Sequence, residues 1–129
     1  MKMLVLGAGL QGCAAAHNLL QHDTVEQVTL ADLHPNRLPA FLQPCLGKRL
    51  RAVPLDASDF EAVVSLMKGH DAALCALPYY FNEPMTRAAI DGGCQAHCRR
   101  RSTARIAPLS EKNGRSLLDA KRRGPKRRR

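Results

Sequence analysis

The sequence predicts an α/β chain on a doubly wound parallel sheet, incomplete at about four strands, with a disordered basic C-terminal tail. Three observations carry this. Short apolar runs recur without polar alternation, as strands covered on both faces require. Segments suited to helices fall between them, and such alternation implies right-handed crossovers and helices on both faces. Composition then breaks: residues 1–98 hold 7 Lys and Arg against 9 Asp and Glu, whereas residues 99–129 hold 13 against 2.

The elements follow in order. Met3 to Leu6 is the first strand, and the Ala-rich stretch from Leu10 to Gln21 is the first helix. Gln27 to Ala31 is a second strand ending at Asp32. The segment HPNRLPAFLQPCLG has an apolar stripe in Leu38, Phe41, Leu42 and Leu46, but Pro39 and Pro44 limit it to a short or broken helix. Leu50 to Leu55 is a third strand, with Pro54 near its end. Ser58 and Glu61 have the spacing of a capping box, which predicts a helix to about Lys68 that stops at Gly69. Asp71 to Leu77 is a fourth strand. Asn82 is placed to cap a last helix that carries Pro84 in its first turn and ends at Gly92 and Gly93.

Between the first strand and helix lie Gly7, Gly9 and Gly12, spaced G-x-G-x-x-G. In a Rossmann-type dinucleotide turn the first glycine permits the tight turn. The second leaves room for a pyrophosphate, and the third allows close helix packing. The helix N-terminus then offers free N–H groups to the phosphates. The glycines alone are a weak signal, but a strand precedes them, a helix follows, and Asp32 closes the second strand, where a carboxylate binds an adenosine ribose. A carboxylate there repels a 2′-phosphate, so NAD is the preferred cofactor, with NADP the alternative if Arg37 accommodates that phosphate. Asp56 ends the third strand and either approaches the adenine or forms a local turn. Tyr79, Tyr80 and Phe81 are an aromatic cluster that lines the nicotinamide side or a substrate pocket, or else packs at the mouth of the sheet.

The stretches VLGAGLQGCAAAHNL, VTLAD, VPLDASD and ALCALPYYFNEPMTRAAIDGG resemble the N-terminal NAD(P)-binding domain of the saccharopine dehydrogenase family, in its lysine 6-dehydrogenase-like branch. The resemblance covers roughly residues 1–93. It implies an oxidoreductase that acts on amino acids or related C–N bonds by hydride transfer. It further implies that Gly7, Gly9, Leu10, Gln11 and Gly12 hold the pyrophosphate and that Asp32 holds the adenosine ribose. Asp56 and Ala57 would lie beside the adenine, with Leu77, Pro78 and Tyr79 flanking the inner ribose and nicotinamide. After Gly93 the family continues into another strand and a long substrate domain, and GGCQAHCRRRSTARIAPLSEK matches neither. The resemblance thus implies a partial domain, 1–93, that binds a dinucleotide but does not turn over substrate alone. The catalytic residue stays unknown, and an amino-acid-type substrate belongs only to a full-length enzyme.

Residues 94–129 lack Val, Phe, Tyr, Trp and Met and hold 10 of 14 arginines, so little apolar surface opposes the entropy of ordering, except for a possible short helix in SLLDAKRR. Three readings apply: a basic arm for nucleic acid, an inert solvated tail, or the product of a shifted reading frame, which the abrupt change at Cys94 favours. Cys94, His97 and Cys98 lack a partner pair at zinc spacing, so no metal is expected. His17, His22, His34 and His70 read as surface or helix-end residues. Five cysteines without a secretory pattern argue against a disulfide framework, and Cys13 and Cys75 read as core side chains. No apolar run is long enough to span a membrane, and the expected location is the cytoplasm. Two functional alternatives remain: a nucleotide-sensing regulatory module of the potassium-transporter type, or nucleic-acid binding through the tail.

Overall fold

In a computed structural model of the chain, residues 1–98 are described, with side chains up to Gln95. Of the tail predicted to be disordered from residue 94, Gln95–Cys98 instead form a strand, and the rest, with the possible helix in SLLDAKRR, lies outside the described residues.

The strands β1 (Lys2–Leu6), β2 (Gln27–Asp32), β3 (Leu50–Pro54), β4 (Ala72–Cys75) and β5 (Gln95–Cys98) form one sheet in the order β3-β2-β1-β4-β5. Every pairing is parallel, with Leu6 opposite Ala31 on one side and Cys75 on the other. The helices are α1 (Leu10–Leu19), α2 (Phe60–Met67) and α3 (Asn82–Gly92). The chain winds outward from β1 first to β2 and β3, then crosses back to β4 and β5. The reversal between β1 and β4 is the switch point at which open α/β sheets bind ligands.

The four expected strands are present, and the apolar runs of β1 and β2 are buried on both faces. Leu4 and Leu6 of β1 pack toward α2 and α3, beside Val63, Met67, Met85 and Ala88. Val5 packs the other way, with Val28, Leu30 and Leu50, against Cys13 and Ala16 of α1 and Leu38 and Leu42 of the following segment. Each fully buried Leu, Val or Met among them contributes about 1.5–3 kcal/mol of transfer free energy. Cys13 and Cys75 are core residues, as expected.

Three expectations are corrected, at the cap of α2, the start of α3 and the end of the sheet, while the proline-rich segment is as short as expected. The cap of α2 is Asp59, not Ser58: its Oδ1 accepts from the Ala62 N–H at 3.2 Å. Asn82 does not cap α3, because a 3-10 turn, Tyr79–Phe81, precedes it and Asn82 already lies inside the helix, buried. The proline-rich segment forms one 3-10 turn, Gln43–Cys45, and Leu38 and Leu42 reach the core. The sheet does not stop at residue 93, since β5 pairs with β4 from Ala72↔Gln95 to Cys75↔Cys98.

Two polar contacts tie the lower end of the sheet. Arg49 donates to the carbonyls of Leu20 and His22, at 2.9 and 2.8 Å, and to that of Val25. It thereby closes the C-terminus of α1 onto the start of β3. His70 sits at the end of α2, one of the two places expected for it: its Nδ1 meets the Leu66 carbonyl at 2.7 Å and its Nε2 meets Thr29 Oγ1 at 2.8 Å. Among the described residues, no helix is long and apolar enough to cross a membrane.

Candidate functional site

The site grows from the end of β1. Gly7 turns the chain at φ +98°, a left-handed value that disfavours any side chain. Its N–H donates to the Ala31 carbonyl of β2 at 2.8 Å, while the Ala76 N–H donates to the Leu6 carbonyl at 2.8 Å. The turn is therefore pinned between β2 and the end of β4. A Cβ at Gly12 would lie 1.7 Å from the Gly7 carbonyl oxygen, so α1 packs on the turn itself. A Cβ at Gly9 would meet nothing within 4 Å, and it would project into open space at the head of α1.

That head has the features an anion needs. The first N–H groups of a helix have no intrahelical partners and carry the positive dipole end. No acidic side chain lies in the first turn of α1, and Leu10 there is 87 % exposed. Gln11 occupies the same turn.

Asp32 reaches the turn from β2. Its Oδ2 accepts from the Ala8 N–H at 2.8 Å and its Oδ1 from the His34 N–H at 3.0 Å. Burial pushes this carboxyl up, but the N–H donors of Ala8, His34 and Leu33 and the His34 charge outweigh it. The result lies below the ordinary carboxylate value, and the group stays ionised. On its other side, the Ala8 peptide accepts from Cys13 Sγ at 3.3 Å. Burial and then the Asp32 charge push the Cys13 thiol up, so it remains a neutral donor.

A cavity of about 310 Å³ opens beside Asp32. Asp32, Asp56, Ala57, Leu77 and Pro78 line it. Asp56 Oδ1 accepts from the Ser58 N–H at 2.9 Å in a local turn, and the residue borders the cavity. Tyr79 does not line it, and is 64 % exposed. Tyr80 and Phe81 line it instead, together with Leu33, which sequence reasoning did not single out. The position of Leu33, directly after the strand-ending acid, was the available signal.

Of Cys94, His97 and Cys98, only Cys94 has a described side chain. Cys94 is buried in the core, and burial, then Asp71, push its thiol up. Among the described residues no group of three ligand-type side chains gathers.

A glycine turn at the switch point, an ionised acid closing β2 and a cavity between strand ends define a Rossmann domain built for a dinucleotide. Comparison with known proteins agrees. A family model described as the saccharopine dehydrogenase NADP-binding domain matches residues 3–123. The chain belongs to that family, and the match runs through β5 and past the point where the sequence departed from the family's pattern. In structure it is similar to saccharopine dehydrogenase (L-Glu forming) from Saccharomyces cerevisiae, with a TM-score of 0.72 at 22% identity over 84% of this chain and 23% of that one. It is also similar to a short-chain dehydrogenase/reductase from Veillonella parvula DSM 2008 in complex with NADP. There the TM-score is 0.61 at 11% identity, over 79% of this chain and 48% of that one. A glycosyl hydrolase family 109 protein from Stenotrophomonas maltophilia (strain K279a) is 28% identical over 102 residues, or 76% of this chain and 22% of that protein. The chain thus spans under a quarter of the length of the yeast enzyme and of the Stenotrophomonas protein.

Proposed function

We propose that the chain binds NAD at the Gly7–Gly12 turn, as the cofactor-binding part of an oxidoreductase acting on amino acids or related C–N bonds. Gly9, Leu10, Gln11 and Gly12 would receive the pyrophosphate, Asp32 the adenosine ribose, and Asp56 and Ala57 the adenine. Leu77, Pro78 and Tyr79 would face the inner ribose and nicotinamide. The residues fit the group, because the space a Gly9 Cβ would enter is open to a phosphate. Bound there, the nicotinamide would accept or release a hydride. We assign no catalytic residue among the described residues, and place the amino-acid-type substrate with a full-length enzyme. The family match favours this reading over a regulatory module or a nucleic-acid binder.

The observation that carries NAD over NADP is the state of Asp32. Its carboxyl is held ionised against the turn, at the border of the cavity. A 2′-phosphate would set a second anion against it. The family's description names NADP, and Asp32 is the feature of this chain that favours NAD instead. The cytoplasm suits an odd count of five cysteines, which argues against a disulfide framework. The test is calorimetric titration with NADH and then NADPH. NADH is expected to bind at least about tenfold more tightly, a difference of about 1.4 kcal/mol. Tighter NADPH binding would overturn the preference, and binding of neither by folded protein would overturn the cofactor assignment.

A further inference from the structure

The 3-10 turn Tyr79–Phe81 follows β4 and closes the cavity from the side opposite the ends of β2 and β3. Phe81 is half-buried against the core, which fixes the turn. Its N–H donates to the Pro78 carbonyl at 3.0 Å. Tyr80 leans on Phe81, with ring centroids 4.9 Å apart at 39°, and meets Tyr79 edge-on at 5.8 Å and 75°. Tyr80 is thus held between two rings, yet it is 65 % exposed and borders the same cavity as Asp32, Leu33, Asp56 and Ala57.

We infer that Tyr80 is the stacking platform for the purine ring of the bound nucleotide, which assigns this ring of the aromatic cluster to the adenosine half of the site. This rests on the dinucleotide reading above and goes beyond it, because the cluster is otherwise expected on the nicotinamide or substrate side. Three points support it. Tyr80 and the two acids that address the ribose and adenine share one cavity. Its two aromatic neighbours limit its rotamers, so little entropy is lost when a base stacks on it. Leu33 and Ala57 line the same cavity, so it offers hydrocarbon as well as the tyrosine ring to a flat apolar base. Tyr79 stays outside this cavity and serves as an internal control.

The chain contains no tryptophan and two tyrosines, which are adjacent at 79 and 80, so its intrinsic emission reports this turn alone. The experiment titrates the full chain with ADP-ribose, reading tyrosine emission and calorimetric affinity together, with NADH binding measured beside it. Stacking is expected to quench the emission. Y79F should keep the quench. Y80F should bind within about twofold of the parent while losing the quench, and Y80A should bind about tenfold more weakly, the loss of one base–aromatic stack. Parent-like affinity in Y80A, or a quench that survives in Y80F and vanishes in Y79F, would overturn the inference and leave the dinucleotide reading standing. A folded parent chain that binds neither ADP-ribose nor NADH would overturn both.

Discussion

Asp32 Oδ2 accepts a hydrogen bond from the backbone N–H of Ala8 at 2.8 Å. The acid that closes β2 therefore also holds the glycine turn that follows β1. The second carboxylate oxygen is engaged too, by His34. Substitution at Asp32 consequently acts on the turn as well as on any ribose contact. Binding data on such a variant are informative only beside its thermal stability.

This coupling predicts acid sensitivity. Burial alone would raise the Asp32 carboxyl, but the N–H donors and the His34 charge leave it lowered in the folded chain. A lowered carboxylate stabilises the fold fully above its unfolded value of about 3.9, and the contribution is lost as the pH falls through the folded value below it. The melting temperature should therefore drop below about pH 4, and less steeply in an Asp32→Asn variant. Thermal denaturation from pH 6 downward checks this.

Gly9 and Gly12 should separate binding from folding. A Cβ at Gly12 would clash with the Gly7 carbonyl at 1.7 Å, so Gly12→Ala should lower stability by about 2 kcal/mol or more. A Cβ at Gly9 meets open space at φ −73°, so Gly9→Ala should cost under about 1 kcal/mol while weakening NADH binding about tenfold or more. Denaturant melts and calorimetry on both variants check the contrast.

Arg49 should matter for stability alone. It donates to three carbonyls, those of Leu20, His22 and Val25, far along the chain from the turn. Arg49→Ala should cost about 1.5–3 kcal/mol, and Arg49→Lys should recover only part, because an ammonium lacks the planar fork. NADH affinity measured well below the melting temperature should be unchanged.

Thr29 and His70 form a polar bridge between β2 and the loop before β4. Thr29 is 2 % exposed, so Thr29→Val leaves His70 Nε2 without that partner and should cost about 1–2 kcal/mol. A His70→Ala, Thr29→Val double variant should cost less than the sum of the two single changes. Urea melts of the four-member cycle give the coupling.

The sheet was legible where the chain is covered on both faces, because runs such as Leu4 to Leu6 admit no polar alternation. The glycine turn was legible because steric demand leaves few other residues at Gly7 and Gly12. Helix starts were not. Ser58 and Asp59 are both good caps, and the choice fell to Asp59 because Asp56 had already drawn the Ser58 N–H into a turn. Asn82 looked like a cap only because the 3-10 turn before it has no sequence signature of its own. Strand β5 was hidden because Gln95 and His97 lack an apolar run, and parallel pairing with β4 rests on the backbone. The cavity wall at Tyr80 depends on how the turn after β4 bends, which spacing along the chain does not reveal.

The most direct test of the central claim is a calorimetric titration of the folded chain with NADH, with Gly9→Ala run in parallel. One NADH per chain, with affinity falling about tenfold or more in the variant while its melt is nearly unchanged, is the predicted result. A well-folded chain that takes up no NADH, or one whose affinity ignores a methyl group at Gly9, would contradict the account.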